Sequence, residues 1–79
     1  MDTIYLEFKG PNDVELEVMV EENSSGMSGI IGDYIERDED GIEREVLIGG
    51  KEFCAYLSFD GPDSMNQIFD EIIRSVKVN

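Results

Sequence analysis

Apolar side chains fall at every second position along four stretches of this chain. Ile4, Leu6 and Phe8 form the first set, and Val14, Leu16, Val18 and Val20 the second. Ile42, Val46 and Ile48 form the third, and Phe53, Ala55, Leu57 and Phe59 the fourth. Side chains of an extended chain alternate between two sides, so each set lines one face of a half-buried strand. The intervening positions are largely polar: Thr3, Tyr5, Glu7 and Lys9, then Glu15, Glu17, Met19 and Glu21, then Glu43 and Glu45, then Cys54, Tyr56 and Ser58. Arg44 is the one interruption on an apolar side. Turn-forming residues separate the stretches. In Gly10-Pro11-Asn12-Asp13, proline pre-sets a turn φ and Asn or Asp tolerates left-handed backbone. Gly49-Gly50 and Asp60-Gly61-Pro62-Asp63 break the chain later, and the first 21 residues read as a β-hairpin.

Residues 22–29 are small and polar and read as a mobile loop. The segment 24–37 supports two readings. Met27, Ile30, Ile31, Tyr34 and Ile35 have helical spacing. Gly26, Gly29 and Gly32 would each cost a helix about 1 kcal/mol, and Asp38-Glu39-Asp40 would lie at its negative end. The strand reading is preferred: a strand over 33–37 turns at Asp38-Glu39-Asp40-Gly41 into the strand over 42–48, with Gly41 taking positive φ. At the C-terminal end, Ile68, Phe69, Ile72, Ile73 and Val76 form one helical stripe, opposite Asn66, Asp70, Glu71 and Arg74. Ser64 and Gln67 have capping-box spacing, with Asp63 as a competing cap. The fold class expected is α+β: a two-layer sandwich in which a four- or five-stranded, mostly antiparallel sheet carries the C-terminal helix on one face. Residues 1–79 make a single domain on this reading, with no second helix to cover the other sheet face.

Charge then limits function. The 79 residues hold 19 acids and 6 Lys or Arg, a formal net charge of −13. Such a field repels nucleic acid and anionic membrane and attracts basic protein surfaces. A core this small supplies only about 3–5 kcal/mol, and carboxylate repulsion subtracts from it. Stability is therefore expected to rise with added salt, read as a higher urea midpoint, because screening relieves the repulsion. A homodimer would enlarge the core and is compatible with the composition. The single cysteine, Cys54, forms no intrachain disulfide and reads as a small apolar residue. The Met1-Asp2-Thr3 start lacks a basic, apolar leader, and no apolar run reaches the roughly 20 residues of a membrane span, so a cytoplasmic chain is expected.

Catalytic chemistry finds little support. With no His and one Cys, the chain lacks the partners for a Ser-His or Cys-His pair and the ligands for zinc. Its glycines match no phosphate-binding loop. Asp38-Glu39-Asp40-Gly41 resembles part of a calcium loop, but Gly41 at loop position six puts Leu47 where the bidentate Glu belongs. No catalytic residue, metal or cofactor is expected. The candidate contact residues are Glu15, Glu17, Glu43, Glu45, Tyr5 and Tyr56 on the uncovered sheet face. The acidic hairpin segment Glu36, Asp38, Glu39 and Asp40 extends them. Tyr and Met add apolar contact area of the kind interfaces favour. Asp70 and Glu71, on the helix, are expected to stand apart from any contact.

In size, charge and absence of catalytic groups the chain is similar to small acidic inhibitors of phages and mobile elements: DNA-mimic, anti-restriction and anti-CRISPR proteins. No motif underlies that resemblance, so it assigns no residue. It implies a stoichiometric inhibitor that occupies the basic, nucleic-acid-binding surface of another protein without itself binding nucleic acid or membrane. Two alternatives fit the same residues: an immunity protein neutralising a basic toxin such as a nuclease, and a non-catalytic interaction domain.

Overall fold

The structure, a computed structural model, describes residues 3–11 and 13–78; Asn12 of the first turn lies outside them, as do Met1, Asp2 and Asn79. Five strands form one antiparallel sheet: β1 (Ile4–Lys9), β2 (Glu15–Glu22), β3 (Gly29–Asp38), β4 (Gly41–Gly49) and β5 (Phe53–Gly61). A 3-10 turn (Asp63–Met65) leads into the helix α1 (Asn66–Ser75). The spatial order is β1-β2-β5-β4-β3, so the last strand in sequence is central and hairpins flank it. With α1 on one face, this is the α+β two-layer sandwich expected.

The strand alternative for the middle segment holds, and β3 is longer than expected: it runs back to Gly29, with a register shift between Ile30 and Gly32. The helical spacing of Met27 to Ile35 is overridden because that strand completes the ladder on β4. The preceding loop is also more organised than its composition suggests. The Asn23 amide donates to the carbonyls of Met27 (2.8 Å) and Gly50 (2.7 Å) and accepts from the Ser25 backbone N–H and hydroxyl. Asp13 adopts positive φ (60°), in keeping with the tolerance of Asp for that region. Gly41 does so at 143°, and a β-carbon there would overlap the Gly61 carbonyl, so the β3–β4 turn needs glycine twice over.

The core lies between α1 and the centre of the sheet. Ile42, Val46 and Ile48 of β4, Ala55, Leu57 and Phe59 of β5, and Phe69 and Ile73 of α1 are buried. The Phe59 and Phe69 rings stack with centroids 4.3 Å apart. The rest of the apolar side of the sheet departs from expectation. Ile4, Leu6 and Phe8 share the helix side with Val20, Val18 and Leu16, yet remain 48–57% exposed, and Phe53 is 43% exposed. A ten-residue helix is about 15 Å long and 10 Å wide, whereas strands repeat every ~4.8 Å. It therefore covers the central strands and leaves the β1 edge open.

Two details of the helix also differ. No side-chain cap forms at its start, where Met65 is the N-cap. The 3-10 turn satisfies the leading N–H groups instead, through Met65 to Pro62 and Asn66 to Asp63 backbone bonds, so Ser64 and Gln67 have no capping task. Asp63 binds the Arg37 guanidinium at 2.9 Å rather than capping. Asn66 and Asp70 do not point to solvent. Their side chains meet Arg44, the interruption in the β4 pattern, which is 6% exposed. Asp33 holds the same guanidinium through two bonds, 3.0 Å to Nε and 2.7 Å to Nη2, and Asp70 accepts from Nη1 at 2.5 Å. Arg44 thus ties edge strand β3 and helix α1 to β4. These bonds raise the Arg44 pKa, with Asp33 the largest cause, and the Arg44 bond holds the Asp33 carboxyl below its ordinary value.

Candidate functional site

Residues directly opposite in an antiparallel ladder share a face, so the strand registers assemble the uncovered side row by row. The row nearest the β3–β4 turn reads Lys9, Glu15, Asp60, Glu43, Glu36 across β1-β2-β5-β4-β3. The next reads Glu7, Glu17, Ser58, Glu45, Tyr34, and the third Tyr5, Met19, Tyr56, Leu47, Gly32. Neighbours within a row stand ~4.8 Å apart and rows ~6.8 Å apart. The first two rows hold seven carboxylates and one cation, Lys9, whose ammonium reaches Glu7 at 3.5 Å and Glu15 at 4.0 Å. The third row is aromatic and apolar. The acidic rows therefore give way to an aromatic and apolar row, with Tyr34 at the β3 end of the second row beside it.

Tyr5, Glu15, Glu17, Glu43, Glu45 and Tyr56 are brought together here as their alternation implied, and Glu36, expected only in the acidic hairpin segment, joins their first row opposite Glu43. Asp38 ends β3 at the rim, and Glu39 and Asp40 form the turn beyond it. The Asp38 carboxylate accepts from the N–H groups of Asp40 (2.7 Å) and Gly41 (3.1 Å), so it holds the turn closed as well as carrying charge. Asp60 and Tyr34 also belong to these rows, although neither stands out in the sequence as a face residue. Asp60 looked like part of a break, but Cys54, Tyr56, Ser58 and Asp60 continue one outward parity to the end of β5. Tyr34 shares parity with Glu36 once β3 is extended back.

Four pairs of like charge stand directly opposite one another: Glu7 and Glu17, Glu15 and Asp60, Asp60 and Glu43, Glu43 and Glu36. At roughly 0.5 kcal/mol each, they remove about 2 kcal/mol from a marginal fold. The same field acts on the tyrosines. The Tyr34 hydroxyl donates to Glu36 at 3.1 Å and the Tyr5 hydroxyl to Glu7 at 3.3 Å. The phenol pKa is raised at all three positions. Desolvation leads at Tyr5, with Glu17 and Glu7 adding; the Glu36 bond leads at Tyr34; desolvation leads at Tyr56, followed by Glu45. A raised folded-state pKa stabilises the fold below the ordinary phenol range, and that contribution is lost as pH rises through the shifted value. Since these are the three tyrosines of the chain, phenolate absorbance titration reports on this face. Their ionisation is expected above that of free tyrosine, and salt is expected to bring it part of the way back.

Among the described residues no group of His, Cys, Asp or Glu is arranged to hold a metal ion, and no helix is long and apolar enough to cross a membrane. The acids instead present a broad anionic surface on a hydrogen-bonded sheet. Comparison with protein-family models, curated proteins and solved structures finds no match.

Proposed function

We propose that this chain is a non-catalytic acidic binding protein whose open sheet face occupies the basic, nucleic-acid-binding surface of another protein and excludes DNA or RNA from it. The observation that carries this reading is the alignment of seven carboxylates in two adjacent rows on the uncovered face. A solubilising surface does not require like charges opposite one another, at a cost in stability; a net charge of magnitude about 2–8 serves solubility. A cationic partner would convert that repulsion into attraction on binding. The rigid sheet limits the ordering cost of the contact, and the field speeds a salt-sensitive association. The tyrosine row adds the aromatic area that interface cores favour.

The test is capture of basic proteins from the native host at low salt, followed by nucleic-acid binding assays on each purified partner. Stoichiometric loss of DNA or RNA binding supports the reading. A partner that retains its nucleic acid while bound to this chain overturns it, and one blocked only at a catalytic pocket moves the chain to the immunity class. The exposed Ile4, Leu6 and Phe8 strip on the helix side is the competing surface. Loss of partner binding on replacing those three by serine, with the acids intact, would also overturn the reading.

A further inference from the structure

We propose that the hollow over Gly32, at the β3 end of the tyrosine row, is a socket for an arginine side chain of the basic partner. The inference rests on the binding role proposed for the open face and adds a specificity-determining position to it. Gly32 leaves a gap in the side-chain layer: a β-carbon built there would meet no atom within 4 Å. The resulting depression of about 220 Å³ is lined by Gly32, Asp33, Tyr34, Glu45, Leu47 and Tyr56.

Three features of that lining suit a guanidinium. Tyr34 and Tyr56 bring aromatic rings to the hollow, and Tyr34 is 58% exposed, free to stack on an incoming group. Glu45 lies directly opposite Tyr34 and one diagonal step from Tyr56, so its carboxylate is available at the same place. A carboxylate can accept two parallel N–H bonds from arginine. The surrounding charge has the right sign: Glu36, Glu45 and Glu43 all act to keep the Tyr34 phenol protonated. Arginine fits better than lysine because its planar, weakly hydrated head can stack on a ring while its edge meets Glu45, whereas an ammonium is a strongly hydrated point charge. Arginine is also a principal phosphate-binding side chain of nucleic-acid-binding surfaces.

The probes are oligoarginine and oligolysine peptides of equal length, titrated into the intact chain at low salt. The wild-type protein is expected to prefer oligoarginine by about threefold, the scale of one cation–π contact at an exposed ring. Gly32→Val, which fills the hollow, is expected to bring the two affinities to near parity while leaving oligolysine binding unchanged. Wild-type parity, or an arginine preference that survives in Gly32→Val, overturns the socket. If Gly32→Val does not fold, Tyr34→Ser, at an exposed ring, must abolish the same preference, and its persistence overturns the socket. Reversal of Glu15, Glu17 and Glu43 tests the underlying reading separately: unchanged binding of both peptides would overturn that reading, while the socket stands or falls on the arginine preference alone, since none of the three lines the hollow.

Discussion

Replacing Glu15, Glu17 and Glu43 together by lysine is expected to abolish partner binding while raising thermal stability. Measured couplings between close charge pairs start near 1.5 kcal/mol, so three reversals should cost about 10³-fold in affinity or more. Stability moves the other way because the substitutions turn repulsive pairs into attractive ones. Position 17 faces Glu7, position 15 faces Asp60, and position 43 faces both Asp60 and Glu36. Against this, lysine at position 15 lies directly opposite Lys9 and lysine at position 17 diagonal to it, fewer contacts than the repulsive pairs removed. A combination of lost binding and a higher melting temperature would identify a surface that carries charge for recognition at the expense of its own fold. The matching control is reversal of Glu52 and Glu71, both exposed and both absent from the open-face rows. Asp70 is unsuitable as a control, since it holds Arg44. Equal loss of affinity from both sets would refute a special role for the sheet face.

Arg44→Ala is expected to destabilise the fold by about 3 kcal/mol, the lower end for breaking a buried pair. That is close to the full stability of a domain this size. The change leaves Asp33 and Asp70 without their cation and uncouples β3 and α1 from β4. Circular dichroism should show a largely unfolded chain at low salt, and a melting temperature within a few degrees of wild type would refute the role assigned to Arg44. The apolar replacement Asp33→Leu, Arg44→Met, Asp70→Leu is expected to regain most of the loss, because no charge is then stranded. Acid separates these proteins further. The Asp33 carboxyl, held low by Arg44, contributes stability that is full above the ordinary carboxylate value and lost as pH falls through the lower folded value. Wild type should therefore lose stability on acidification relative to the apolar triple variant. Relief of open-face repulsion occurs in both proteins and drops out of the comparison.

Much of the fold was legible because alternation is a local property. A side chain two residues along a strand returns to the same side whatever the neighbours are, so Glu15 with Glu17 and Glu43 with Glu45 could be paired from the sequence. Helical spacing of Phe69, Ile72 and Ile73 was equally local, although Ile68 of the same stripe stays exposed and Val76 is already extended past the helix end. Less legible were features that depend on what lies opposite. Arg44 looked like a flaw in β4, and only the approach of Asp33, Asn66 and Asp70 makes it an anchor. Ile4, Leu6 and Phe8 looked like core, but burial depends on how far one short helix reaches across five strands. Asp60 looked like a turn residue because proline and glycine follow it, yet ladder pairing on both sides carries β5 through it.

The amino-acid sequence by itself determined four of the strands, the helix and the anionic sign of the surface, because periodicity and charge are properties of the chain before it folds; the extent of β3 it left between two readings. Only the tertiary structure decided that β5 would lie between β2 and β4. That order sets Glu15 and Glu43 on either side of Asp60 and gathers Tyr34, Glu45 and Tyr56 around Gly32. Strand order is a contest among long-range pairings, settled by which arrangement lets Phe69 and Ile73 meet Phe59 and the centre of the sheet. The carboxylates are carried into their rows by that apolar packing, against their own repulsion.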